Sequence, residues 1–183
     1  MTRPPFEPVA ERDLRVVSAQ LGRPARNVVG IAARCVCGNP TVVATAPRLA
    51  DGTPFPTFYY LSHPAATAAM SFLEAGQLMV EFSELLATDD EVRAAYEQAH
   101  RDYLADRENF GEVAEIAGIS AGGMPTRVKC LHVLAGQSLA QGPGVNPLGD
   151  EVVAALGEFW AAGPCVTAPA ETQADAGEPG ASE

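Results

Sequence analysis

No run in this 183-residue chain approaches the roughly 18 consecutive apolar residues that a membrane-spanning helix needs, which argues against membrane insertion. Nor does Met1-Thr2-Arg3-Pro4-Pro5-Phe6-Glu7 carry the apolar core of a secretory signal, so the expected location is cytoplasmic. A basic excess is also missing. The net charge of −11 leaves no general affinity for nucleic acid, because phosphate binding needs a positive surface. Acid itself is absent from two stretches, Leu14–Ala50 and Ile116–Gly149, which hold Arg15, Arg23, Arg26, Arg34 and Arg48, and Arg127 and Lys129, respectively. There is no G-x-S-x-G, no H-E-x-x-H and no Walker sequence, which removes the commonest hydrolase, metalloprotease and nucleotide-binding signatures. The chain has only four cysteines. In a cytoplasmic protein they read as thiols or metal ligands rather than a disulfide framework.

What is present describes a globular protein, with 47% hydrophobic and 19% charged residues. The expected architecture is α+β: a three-stranded antiparallel sheet packed by about five helices, in one domain over residues 1–163. Residues 164–183, rich in Ala, Pro, Glu, Gly and Ser, read as a disordered tail. Helical spacing of Val9, Leu14, Val17 and Leu21 predicts a first helix, ended by Gly22 and Pro24. Three runs with strand composition follow: Asn27–Cys35, Thr41–Leu49 and Thr57–Leu61. Short connections make them an antiparallel meander, in which the first and third strands run in the same direction. Ser62-His63-Pro64 then opens helical sequence. Thr88 with Glu91 reads as a capping box for a long helix, on which His100 is expected to be an exposed or boundary residue. A helix is predicted over Thr126–Gln141, and a last one after Asn146.

The densest chemistry lies in Arg34-Cys35-Val36-Cys37-Gly38-Asn39-Pro40. Two thiols one residue apart, followed by Gly and Pro, form a knuckle that can turn both sulfurs toward one point. Cys35 and His63 stand at the exits of the outer strands, at the same end of the meander. With Cys130, in Lys129-Cys130-Leu131-His132, they make four soft or borderline donors, a set suited to zinc or to an iron–sulfur cluster. By spacing alone, the same residues fit packed thiols equally well. His132 reads as a poor co-ligand for Cys130, since side chains two residues apart on a helix diverge by about 200°. Cys165, at the border of the tail, is not expected to be a ligand.

Four blocks together resemble one family: Arg34-Cys35-x-Cys37-Gly38-x-Pro40; Asp51-Gly52-Thr53-Pro54-Phe55-Pro56-Thr57 with Tyr59-Tyr60-Leu61; Ser120-Ala121-Gly122-Gly123-Met124-Pro125 with Arg127-Val128-Lys129-Cys130-Leu131-His132; and Gly142–Asp150. In this order they look like the DUF501 family of actinobacterial proteins, over most of residues 10–160. The family name carries no activity, so the resemblance implies a setting rather than a reaction. In the family pattern the position of His63 is usually cysteine. A Cys-to-His exchange is awkward for a disulfide and natural for a metal ligand, so the resemblance favours a Cys35, Cys37, His63 and Cys130 site holding zinc, or alternatively an iron–sulfur cluster.

A second candidate is an anion site. Gly122 and Gly123 before a helix would free backbone N–H groups to face a phosphate or carboxylate, with Ser120, Arg127, Lys129 and His132 alongside. Two functions follow as expectations. One is a zinc-binding protein of interaction or regulation. The other is a metal- or iron–sulfur-dependent enzyme acting on a small anionic or phosphate-bearing substrate.

Overall fold

The computed structural model describes residues 4, 6–161, 165 and 166. Apart from Cys165 and Val166, the predicted disordered tail lies outside the described residues. The chain is α+β, as expected. After helix α1 (Glu11–Leu21) come strands β1 (Val28–Arg34), β2 (Pro40–Thr45) and β3 (Tyr59–Leu61). Helices α2 (Pro64–Glu74), α3 (Leu78–Thr88), α4 (Asp90–Glu108), α5 (Leu131–Gln141) and α6 (Pro147–Leu156) follow, with a 3-10 turn at Ala114–Ile116. The sheet is the expected meander, in order β1-β2-β3 and antiparallel throughout. No helix among the described residues is long and apolar enough to cross a membrane.

Strand β2 is buried along its whole length, because α1 covers one face and the helical layer the other. A charge there would be desolvated, which accounts for much of the first acid-free stretch. The main core joins Val42 and Ala44 of β2 to Phe58, Tyr59, Tyr96, Tyr103, Leu131, Leu134 and Leu148. Its aromatic rings meet edge to face: Phe58–Tyr59 at 4.8 Å and Tyr59–Tyr103 at 5.5 Å between centroids. Such pairs add about 0.5–1.5 kcal/mol each beyond area burial. Helix α5 is the central strut, packing on β3 and α6. Its approach depends on two glycines. A Cβ on Gly136 would lie 3.0 Å from the Tyr59 carbonyl oxygen, and one on Gly149 would lie 2.4 Å from Ser138 Oγ and 2.5 Å from the Leu134 carbonyl oxygen.

Two predicted helix starts move. Thr88 is the last residue of α3, not a cap. Asp89 opens α4 instead, accepting from the backbone N–H groups of Glu91 and Val92 at 2.9 and 3.0 Å. Helix α5 begins at Leu131 rather than Thr126, because residues 121–126 form turns that close on the following strand-like segment through Lys129 N–H to the Gly122 carbonyl at 2.7 Å.

The knuckle is fixed by Arg34. Its guanidinium forks onto the Asp13 carboxylate with two bonds of 2.9 Å and onto Glu7 at 2.7 and 2.8 Å, and it donates to the Gly38 carbonyl at 3.0 Å. Asp13 is almost fully buried, and its hydrogen bonds with Arg34 hold its carboxyl below the usual carboxylate range.

Two predictions follow from these contacts. Gly149→Ala should lower unfolding stability by about 1–3 kcal/mol, as overpacking does when the obstructing atoms include backbone; urea denaturation reads it. Asp13→Asn should cost about 1.5–3 kcal/mol at neutral pH, the worth of hydrogen bonds to a charged group. Because the folded-state pKa is depressed, that contribution is present above the unfolded value near 3.9 and is lost as pH falls through the folded one. The stability gap between wild type and Asp13→Asn should therefore close in acid below about pH 4.

Candidate functional site

The chain turns at Gly38, where φ is +84° and the Gly38 N–H donates to the Cys35 carbonyl at 2.8 Å. That turn presents Cys35, buried, and Cys37, half-buried, on one side. His63, 1% exposed, leaves β3 toward the same place and caps α2. Cys35, His63 and Cys165 offer ligand atoms that all lie within 4.8 Å of one another. Cys37 Sγ is 3.7 Å from Cys165 Sγ. Two thiolates on one tetrahedral zinc, at about 2.3 Å each, stand about 3.8 Å apart. Of the four expected ligands, Cys35 and His63 meet beside Cys165, Cys37 touches the same Cys165 sulfur, and Cys130 lies elsewhere.

The surroundings suit thiolates. Gln20 Nε2 lies 3.2 Å from Cys165 Sγ, Asn39 Nδ2 lies 3.6 Å from it, and Asn39 also donates to the Val166 carbonyl at 2.8 Å. Donors of this kind orient and stabilise metal-bound sulfur. Burial opposes the Cys37 thiolate, but backbone N–H groups of Cys165 and Asn39, with the neighbouring thiols, outweigh it and bring its pKa down to about 7. Burial pushes the Cys35 thiol up. Burial also lowers the His63 pKa, so its imidazole is neutral, the form that ligates. His63 Nδ1 lies 3.5 Å from the Ala66 N–H at the start of α2, whereas Nε2 is buried with no hydrogen-bond partner among the described residues. Phe159 packs edge-on against the ring at 4.8 Å and shields it from water.

Cys130 belongs to a different cluster, with Glu74 and His132. Because α5 starts only at Leu131, Cys130 is its extended N-cap residue (φ −155°, ψ 114°). The helical divergence expected between Cys130 and His132 therefore does not apply, and Cys130 Sγ lies 3.8 Å from His132 Nδ1. Glu74 Oε1 lies 3.0 Å from the same nitrogen and accepts the Leu131 N–H at 2.6 Å. The Cys130 thiol, foremost, and the Glu74 carboxylate raise the His132 pKa to about 9. Burial opposes the Glu74 carboxylate, but His132 and the Leu131 N–H outweigh it and lower its pKa.

The helix start also dissolves the premise of the anion site. Gly122 and Gly123 (φ +77° and +93°) lie several residues before α5 and serve close packing: a Cβ on Gly123 would lie 2.8 Å from the Arg127 carbonyl oxygen. Arg127 and Lys129 are exposed on the non-helical stretch rather than in a first turn. Ser120 Oγ is engaged by His100 Nδ1 at 2.9 Å, which gives half-buried His100 a partner, and His132 turns to Glu74 and Cys130.

Two residues of these clusters escaped the sequence reading. Cys165 was set aside as a tail residue, although a fourth cysteine left over beside three proposed donors was the available signal. Glu74, at the end of α2, carries no local signal at all.

A family model described as "Protein of unknown function (DUF501)" matches residues 31–154. The chain belongs to that family. No curated protein and no solved structure matches it.

Proposed function

We propose that this DUF501 protein binds one zinc ion through Cys35, Cys37, His63 and Cys165, and that the ion clasps the C-terminal segment onto the β1–β2 knuckle. The observation that carries this reading is the His63 ring: neutral, buried, with Nε2 unpartnered among the described residues and a ring nitrogen within 4.8 Å of the Cys35 and Cys165 sulfurs, the latter 3.7 Å from Cys37 Sγ. An imidazole nitrogen buried without a partner costs about 1–3 kcal/mol; coordination at Nε2 removes that cost with the ring proton on Nδ1, at the expense of the long 3.5 Å contact with the Ala66 N–H. Three thiolates and one imidazole make a familiar zinc shell, and His63 in place of the expected cysteine keeps that shell complete. Four protein ligands leave no open position, so the ion is structural. The role of the protein on this reading is interaction or regulation through a held shape, not turnover at this ion.

Elemental analysis of the full chain purified under reducing conditions tests it. Cys165→Ser and His63→Ala should each remove one equivalent of zinc. Each should also lower the unfolding free energy in the presence of zinc by about 4 kcal/mol if the ion is supplied at a thousand times its dissociation constant. A zinc content unchanged by Cys165→Ser would sink the proposal, and iron with labile sulfide in place of zinc would reassign the same ligands to a cluster.

A further inference from the structure

The Glu74–Cys130–His132 group shares no residue with the knuckle, lies on different elements and has a different chemistry. Helix α2 ends at Glu74 beside the start of α5, and the Leu131 N–H fixes the same Glu74 Oε1 that faces His132. Cys130 and His132 straddle Leu131 with their donor atoms on one side. All three ligand atoms lie within 4.8 Å of one another, and all three residues are half-buried. On a tetrahedral zinc, a thiolate and an imidazole stand about 3.6 Å apart, and an imidazole and a carboxylate oxygen about 3.4 Å. The corresponding separations are 3.8 and 3.0 Å, so displacement of the His132 Nδ1 proton by the ion, with small side-chain adjustments, brings the donors to coordinating positions.

We propose that Glu74, Cys130 and His132 form a second site, for a divalent transition metal of the zinc class, with one coordination position open. One sulfur, one nitrogen and one oxygen select zinc-like ions over magnesium or calcium, which prefer all-oxygen shells. Three protein ligands with a free fourth position is the arrangement of reactive rather than structural zinc. The free position has somewhere to face: Cys130 and His132 line a cavity of about 320 Å³, together with Thr57, Tyr59, Tyr60 and Thr67. The ligand at that position is therefore water or a small molecule entering the cavity, whose wall mixes hydroxyl-bearing side chains with apolar Leu21, Leu61 and Val133. The contrast between the two centres is one of access: the knuckle site is closed by its own ligands, whereas this one opens on a space.

The test is metal stoichiometry of the full chain, stripped by chelator under reducing conditions, reloaded with zinc or cobalt(II) and desalted. Wild type should hold two equivalents. Cys130→Ser should hold one, and so should Cys165→Ser. In the cobalt form, the thiolate-to-metal absorption left in Cys165→Ser should vanish when Cys130→Ser is added. If Cys130→Ser does not fold, His132→Asn and Glu74→Gln carry the same expectation of one lost equivalent, with circular dichroism as the control. A single equivalent in wild type, lost with Cys165→Ser and kept with Cys130→Ser, overturns this proposal and leaves the knuckle site standing. A single equivalent lost only with Cys130→Ser does the reverse.

Discussion

The arrangement hangs on one partly buried charge. Arg34 stands at the last position of β1, and its guanidinium is shared between the N-terminal segment at Glu7, helix α1 at Asp13 and the knuckle at the Gly38 carbonyl. A guanidinium drawn partly out of water gains from fixed acceptors, and its planar fork accepts few geometries. The strand end, the helix and the turn are therefore positioned against a single rigid group. Cys35 is the next residue in the chain, so the precision of that fork passes directly to the first sulfur of the candidate site.

The strut helix α5 does comparable work. Its contacts through Gly136 and Gly149 press it against β3 and α6, and its N-terminus receives the carboxylate of Glu74. The late start of α5 decides which residues meet. Had it begun at Thr126, Cys130 and His132 would have pointed apart. With Cys130 extended at the N-cap, the two converge on Glu74 and leave the knuckle to find its last partner elsewhere. Two small clusters, one enclosed and one facing a cavity, replace the single centre that four donors on the linear chain suggested.

The legible parts of the fold were those set by local rules. Strand composition and short connections are enough to order β1, β2 and β3, and strand direction is enough to bring His63 to Cys35. The family blocks are equally local, which is why the resemblance holds over most of the chain. What could not be read depends on distant partners. The acid-free stretch around the cysteines holds five arginines, yet Arg34 is neutralised by Glu7 and Asp13 from outside it, and buried β2 simply excludes charge. The Gly-rich loop looked like a phosphate cradle because the helix boundary was misplaced by five residues (Thr126 against Leu131), and the real boundary is set by the turn that closes Lys129 onto Gly122. Cys165 was hidden by its context, since composition describes a segment and not where one sulfur of it lies.

The Cys37–Cys165 contact spans 128 positions of the chain. During synthesis at about 5–20 residues per second, on the order of 10 s separates the emergence of the two sulfurs. Throughout that interval the knuckle stands without Cys165, Asn39 lacks the Val166 carbonyl, and Gln20 lacks its sulfur neighbour. The contact can close only after residue 165 has emerged. Until then, the knuckle rests on the Arg34 fork, so the sulfur contact is among the last long-range contacts that the described residues can make.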